Sequence, residues 1–189
     1  MAISKRFFDI FLASFLLLVL AGVLALVAMA VKITSQGKVL YWSKRIGKDN
    51  TVFLMPKFRT MRTDTPVVAT HLLANPDAYL TPVGKFLRTT SLDELPQLFS
   101  IFFGHMSFVG PRPALFNQDD MIDITTCAGV RVLTPGLTGW AQVNGRDELP
   151  IPEKVELDKV YLNRQSWFFD LHILLRTFVK VVRREGVVH

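Results

Sequence analysis

The sequence contains a single cysteine, Cys127, in 189 residues. That excludes an intrachain disulfide and fits a reducing compartment, with Cys127 read as a small apolar residue at least half buried. Zinc-finger spacing, a helix-turn-helix pattern and an aromatic RNP-type strand are also missing. The net charge of +6 is therefore not a nucleic-acid footprint, and no nucleic-acid partner is expected. Internal repeats, low-complexity tracts and linkers are lacking too, which leaves one domain large enough for its own core. From Ile10 to Val31 there is no charge at all, and Ser14 is the only polar side chain.

What is present is apolar and basic. Half of the residues are hydrophobic, fifteen are Phe, and the mean hydropathy is +0.30. A basic protein with this composition suits work against an anionic surface such as a lipid bilayer. The uncharged run of about 22 residues would measure about 33 Å as a helix, enough to cross a hydrocarbon core and too long for a signal-peptide core. It reads as a retained anchor over residues 1–35, followed by a membrane-associated domain over 36–189. Lys5 and Arg6 precede the run, and Lys32, Lys38, Lys44, Arg45 and Lys48 follow it. A continuous spanning helix is the direct reading of the hydropathy. Basic flanks on both sides fit a re-entrant hairpin instead, with Ala21-Gly22 as its breaking point, and re-entry is the favoured expectation.

The stretch Ser91-Leu92-Asp93-Glu94-Leu95-Pro96-Gln97-Leu98 carries the chemistry. Ser91 and Glu94 have capping-box spacing, which puts Asp93 and Glu94 in a first helical turn. Unpaired N–H groups and the helix dipole there favour ionised carboxylates. Pro96 would leave the Leu92 carbonyl without its helical donor. Next to the basic segment Gly84–Arg88, such a pair is either an ordinary helix start or a nucleophile, base or Mg2+ ligand for a phosphorylated substrate. Leu92, Leu95, Leu98, Phe99, Phe102 and Phe103 recur at helical spacing, predicting one buried helix face that ends at Gly104.

Val39–Ile46 and Val52–Arg59 read as a β-hairpin turned at Gly47–Asn50, and Thr63–Leu80 reads mostly as loop. In Val109-Gly110-Pro111-Arg112-Pro113 two prolines hold Arg112 rigidly, either as a phosphate ligand or as a solvated side chain. Pro135–Trp140 and Asn144-Gly145-Arg146 form a glycine-punctuated region, either tight turns or a backbone approach to ligand. Glu153–Asn163 and Trp167–Arg184 are expected helices. In the second, Arg176, Lys180, Arg183 and Arg184 oppose Phe168, Leu171, Leu175, Phe178 and Val182, as in interfacial docking or an ordinary surface helix. The fold class is α+β, mostly helical, with a membrane-embedded N-terminal helix, a small β-hairpin and interfacial amphipathic helices.

Four motifs occur in order: Lys57-Phe58-Arg59-Thr60-Met61, Ser91–Leu98, Met106–Pro113 and Gly139–Arg146. With Lys5-Arg6-Phe7-Phe8-Asp9 they resemble the bacterial sugar transferase family, the small monotopic polyprenyl-phosphate phosphoglycosyl transferases, over nearly the whole chain. The resemblance implies transfer of a sugar 1-phosphate from a UDP-sugar to undecaprenyl phosphate, releasing UMP and starting a surface glycan. It implies that Asp93 is the nucleophile and that Glu94 binds Mg2+ and assists the acceptor. Lys57, Arg59, Arg88, Pro111, Arg112, Asn144, Arg146 and Asp158 are the substrate-contact candidates. The implied location is the bacterial inner membrane with the catalytic domain on its cytoplasmic face; a homo-oligomer is left open. The family's Ser-Pro helix break is replaced here by Ala21-Gly22. A non-catalytic scaffold binding nucleotide sugar or anionic lipid is the competing function. A glycosidase is disfavoured because adjacent carboxylates cannot flank a glycosidic bond at the needed separation.

Overall fold

The computed structural model describes residues 2–66, 75–145 and 149–183; Arg146, Arg184 and the middle of the Thr63–Leu80 segment lie outside them. The described chain is α+β and mostly helical, with two small two-stranded sheets.

The apolar N-terminal run folds as two helices, α1 (Ala2–Val19) and α2 (Ala21–Thr34), bent by 63° at Leu20. This corrects the continuous helix and moves the break one residue ahead of Ala21-Gly22. The bend costs little hydrogen bonding: Leu20 N–H bonds the Leu16 carbonyl at 2.8 Å, and Leu24 N–H bonds the Leu20 carbonyl at 2.8 Å. Among the described residues no single helix is long and apolar enough to cross a membrane; the bent pair taken together has the length and composition of a broken span or a re-entrant loop.

α1 is amphipathic in an unusual sense. One apolar stripe, Ile3, Phe7, Phe11, Phe15 and Leu18, is exposed, while Ala13 is fully buried in the main core. Its charged residues all face protein. Lys5 pairs with Asp170, which also accepts from the Tyr161 hydroxyl at 2.7 Å. Arg6 donates to the Ile101 and Phe102 carbonyls, both at 2.6 Å, and Asp9 accepts from Phe108 N–H at 3.1 Å. Arg6 thus satisfies carbonyls at a helix C-terminus, where the dipole favours a cation. At the far end of α2, the Ser35 hydroxyl accepts from Arg59 at 2.8 Å.

The hairpin forms as expected: β1 (Leu40–Ile46) pairs antiparallel with β2 (Val52–Phe58), Tyr41 facing Lys57 and Ser43 facing Met55. Its turn uses Asp49 and Asn50 at positive φ, which these side chains tolerate. Downstream come α3 (Gly84–Thr89), α4 (Gln97–Phe103), β3 (Ser107–Val109), α5 (Asp119–Cys127), β4 (Gly136–Thr138), α6 (Trp140–Asn144), α7 (Ile151–Arg164) and α8 (Trp167–Arg183). β3 and β4 pair in parallel. The sequence predicts a stiff loop over Val109–Pro113 and glycine turns over Pro135–Trp140, and no strand in either. Three-residue strands are too short to show alternation, and Gly136 is needed because a Cβ there would strike the Gly110 backbone.

Two expectations fail along α4. The helix starts at Gln97 rather than at Leu92, and it buries Leu98, Ile101, Gln97 and Ser100, while Phe99, Phe102 and Phe103 are exposed. The Phe102 and Phe103 rings pack edge to face, and the Phe102 carbonyl accepts from Arg6. Cys127 is exposed at the end of α5, not half buried. The core joins Ala13 of α1, Leu98 and Ile101 of α4, Phe108 of β3, Tyr161 of α7 and Ile173 of α8. A second cluster packs Val27 and Val31 of α2 on Phe58 and Leu87. On α8 the outward row Phe168, Leu171, Leu175 and Phe178 is exposed.

Candidate active site

Asp93 and Glu94 occupy a 3-10 turn, Leu92–Glu94, wedged between β2 and α3. The capping box does not form. Ser91 sits in the left-handed region at φ 56° with no side-chain cap, and Glu94 turns toward the hairpin. The Leu92 carbonyl is also not spare, since it accepts from Leu95 N–H at 3.3 Å. Left-handed backbone is strained for serine, and it re-aims the chain so that both carboxylates enter the cleft.

Lys57, from the inner face of β2, donates to Glu94 Oε1 at 2.7 Å. Arg112 approaches the same oxygen at 3.5 Å, held by the Pro111–Pro113 frame whose Pro111 carbonyl accepts from Gly136 N–H at 2.8 Å. Arg88, on α3, donates to Thr60 Oγ1 at 3.0 Å and acts electrostatically on Asp93. Three cations and two carboxylates therefore converge from β2, α3, the 3-10 turn and the loop after β3. The cationic excess suits a polyanionic ligand.

Burial shapes the chemistry. Asp93 is 8 % exposed, and desolvation pushes its carboxyl up to about 6 against the pull of Lys57. That corrects the expectation from the helix start. A one-turn 3-10 segment supplies little dipole, and desolvation of the cleft outweighs it. At neutral pH Asp93 remains mostly ionised, but poorly solvated. Burial also lowers the Lys57 ammonium, with Glu94 opposing, and lowers the Arg88 guanidinium, with Asp93 opposing.

Other sequence candidates lie elsewhere. Arg59 staples the end of β2 to Ser35 and does not enter the carboxylate cluster. Asn144 bonds the Trp140 carbonyl at 2.7 Å and accepts from Arg176 at 3.2 Å, bracing α6 against α8. Asp158 is buried in α7 with one carboxyl oxygen unpartnered; burial alone raises it to about 7, and no cation of the cluster contributes. Arg146 lies outside the described residues.

Sequence reasoning missed a cavity of about 470 Å3 that opens beside Glu94 and Arg112. It runs between Leu16 and Leu20 of the N-terminal helix pair and Leu174, Phe178 and Val181 of α8, with Thr138, Thr177 and Lys180 along it. By sequence spacing Lys180 belongs only to the basic face of α8. The cavity is assembled from segments far apart in sequence, and only the i, i+4 apolar spacing on α8 hinted at it.

Among the described residues no group of three or more His, Cys, Asp or Glu could hold a metal ion. The adjacent carboxylates of Asp93 and Glu94 fit a hard cation shared with a phosphorylated ligand, and do not fit a protein-only cage.

The family model for bacterial sugar transferases matches residues 1–184. The UDP-glucose:undecaprenyl-phosphate glucose-1-phosphate transferase of Escherichia coli (strain K12) is 41% identical over 184 residues, covering 93% of this chain and 39% of the relative. The uncharacterized sugar transferase EpsL of Bacillus subtilis (strain 168) is 38% identical over 187 residues, covering 98% and 90%. The exopolysaccharide production protein ExoY of Rhizobium meliloti (strain 1021) is 37% identical over 198 residues, covering 97% and 87%. The chain thus spans about two-fifths of the first relative's length and most of the other two.

Proposed function

The chain belongs to the bacterial sugar transferase family, and on that premise we propose that it is a phosphoglycosyl transferase acting at the bacterial inner membrane. It moves a sugar 1-phosphate from a UDP-sugar to undecaprenyl phosphate, beginning a surface glycan. The observation that carries this reading is the buried Asp93 flanked by Lys57, Arg88, Glu94 and Arg112.

Asp93 attacks the sugar-bearing phosphorus of the UDP-sugar. A carboxylate–phosphorus bond forms, the diphosphate P–O bond breaks, and UMP leaves with the electron pair. Lys57, Arg88 and Arg112 offset repulsion between the carboxylate and the diphosphate and hold phosphate oxygens in place. Partial desolvation makes Asp93 a stronger nucleophile than a surface carboxylate, while a value near 6 keeps it ionised at pH 7. In the second half-reaction a phosphate oxygen of undecaprenyl phosphate attacks the same phosphorus, the acyl–phosphate bond breaks, and Asp93 is released. Glu94 orients that acceptor oxygen through its pairing with Lys57 and Arg112. Glu94 and the substrate phosphates would hold Mg2+, which supplies further positive charge to the diphosphate.

The acceptor is membrane-bound, and the apolar cavity beside Glu94 and Arg112 offers its lipid chain a path from the anchor to the carboxylates. The anchor is re-entrant. Lys5, Arg6 and Asp9 at one end and Ser35 at the other all bond the same catalytic domain, which keeps both ends on the cytoplasmic side. The exposed rows on α1, α4 and α8 face lipid, in keeping with interfacial amphipathic helices. A non-catalytic scaffold would have no use for a desolvated aspartate among three cations. UMP release from UDP-sugars with added undecaprenyl phosphate tests the function; no release with any UDP-sugar tried would reject it.

A further inference from the structure

Tyr41 faces Lys57 directly across the hairpin. Cross-strand partners project to the same face, with Cβ atoms about 5 Å apart. On this face lie Ser43, Phe53 and Met55, all buried, and Lys57, whose amine reaches Glu94. Tyr41 ends the row and is 45% exposed. It is an exposed aromatic ring one cross-strand step from a lysine that contacts a catalytic carboxylate. Among the described residues no other ring stacks on it. Its neighbour Trp42, also exposed, projects to the opposite face, so membrane-surface contact and site contact divide between the two residues.

We infer that Tyr41 is the stacking platform for the nucleobase of the donor nucleotide, and so sets affinity for its nucleoside half. The inference rests on the donor-nucleotide reading above. A diphosphate held by Lys57, Arg88 and Arg112 carries its base one ribose further out, and Tyr41 is the exposed ring on the Lys57 face of the hairpin. The apolar cavity opens on the Glu94 and Arg112 side, lined by aliphatic and phenylalanine side chains of the anchor and α8. Uracil offers a π-face to the Tyr41 ring, and stacking of this kind tolerates either tyrosine or phenylalanine.

The test compares Tyr41→Phe, Tyr41→Ala and Trp42→Ala in the full chain reconstituted in phospholipid nanodiscs. UDP-sugar kinetics and inhibition by UMP and by inorganic pyrophosphate are measured for each. Tyr41→Ala is expected to raise the UDP-sugar KM and weaken UMP inhibition at least about fivefold, the loss typical of one base–aromatic stack. Its kcat at saturation and its inhibition by pyrophosphate should stay near wild type. Tyr41→Phe and Trp42→Ala should keep the wild-type KM. An unchanged KM in Tyr41→Ala, with wild type turning over normally, overturns the stacking role alone. Equal weakening of UMP and pyrophosphate inhibition also overturns it, because the whole cleft would then have shifted. If wild type neither turns over UDP-sugars nor binds UMP, the donor reading itself fails.

Discussion

Lys57 and Glu94 are 37 positions apart in sequence, yet Lys57 Nζ donates to Glu94 Oε1 at 2.7 Å with both side chains largely out of solvent. This pair fastens the hairpin to the turn that carries Asp93. Removing Lys57 takes the nearest cation from Glu94 in a desolvated cleft and leaves it the longer contact to Arg112 at 3.5 Å. Lys57→Met is expected to lower stability by about 2–4 kcal/mol and turnover at least about a hundredfold. Adding Glu94→Gln should recover much of the stability and none of the activity. Denaturant melts and initial rates on the two single variants and the double variant check this. A double variant no more stable than Lys57→Met would contradict the coupling.

Asp93→Asn should abolish turnover and stabilise the protein. Burial raises the Asp93 carboxyl from 3.8 to about 6, so the folded state holds this proton more tightly than the unfolded chain does. The contribution favours folding fully below pH 3.8 and is lost as pH rises through about 6. The ionised form at neutral pH therefore costs the fold about 3 kcal/mol, an upper figure for a residue that is almost wholly buried. A neutral asparagine lacks that cost. The variant should melt higher than wild type at pH 7.5 and show a smaller difference at pH 4. A lower melting temperature at both pH values would contradict it.

The same value fixes a pH–activity limb. Because attack needs the ionised carboxylate, the rate of UMP release should rise with pH through about 6 and flatten above it. Pre-steady-state measurement of the first half-reaction isolates this limb from lipid binding. A flat profile between pH 5 and 7 would exclude Asp93 as the titrating group.

Much of this was legible in the sequence where local rules govern. The hairpin followed from the turn residues Gly47–Asn50, and α8 from the helical spacing of its basic and apolar residues. Convergence of Lys57, Asp93, Glu94 and Arg112 came from motifs rather than from pattern physics. Contacts made in three dimensions were not legible. The left-handed Ser91 looks like a cap in sequence, and only packing of the turn under β2 shows that desolvation outweighs the dipole. Arg59 and Arg88 look alike as basic residues near a motif, yet one staples the anchor through Ser35 and the other faces Asp93. The β3–β4 pair was hidden because three residues carry no periodicity, and the cavity because its walls come from five separate segments.

Topology is tested by cysteine labelling in a Cys127→Ser background. Lys5, Arg6 and Asp9 bond the catalytic domain at one end of the anchor, and Ser35 bonds it at the other. Cysteines placed at Ala2 and at Ser35 should both be shielded from an impermeant reagent in intact cells and labelled after permeabilisation. Labelling of the Ala2 position from outside would establish a spanning anchor.

Divalent metal should be required for turnover and contribute little to the empty protein's stability, since the described residues form no cage of their own. EDTA should stop UMP release and Mg2+ restore it, with the melting temperature in EDTA unchanged. Full activity in excess chelator would reject the metal.

The central claim is that Asp93 becomes covalently phosphorylated by the donor. Intact-mass measurement after incubating wild type with the UDP-sugar that supports turnover, without undecaprenyl phosphate, tests it most directly. The account predicts a mass gain equal to one sugar phosphate less one water, mapped to Asp93, absent in Asp93→Asn and discharged on adding the lipid acceptor. A turnover-competent wild type that never gains this mass, or an adduct that persists in Asp93→Asn, would contradict it.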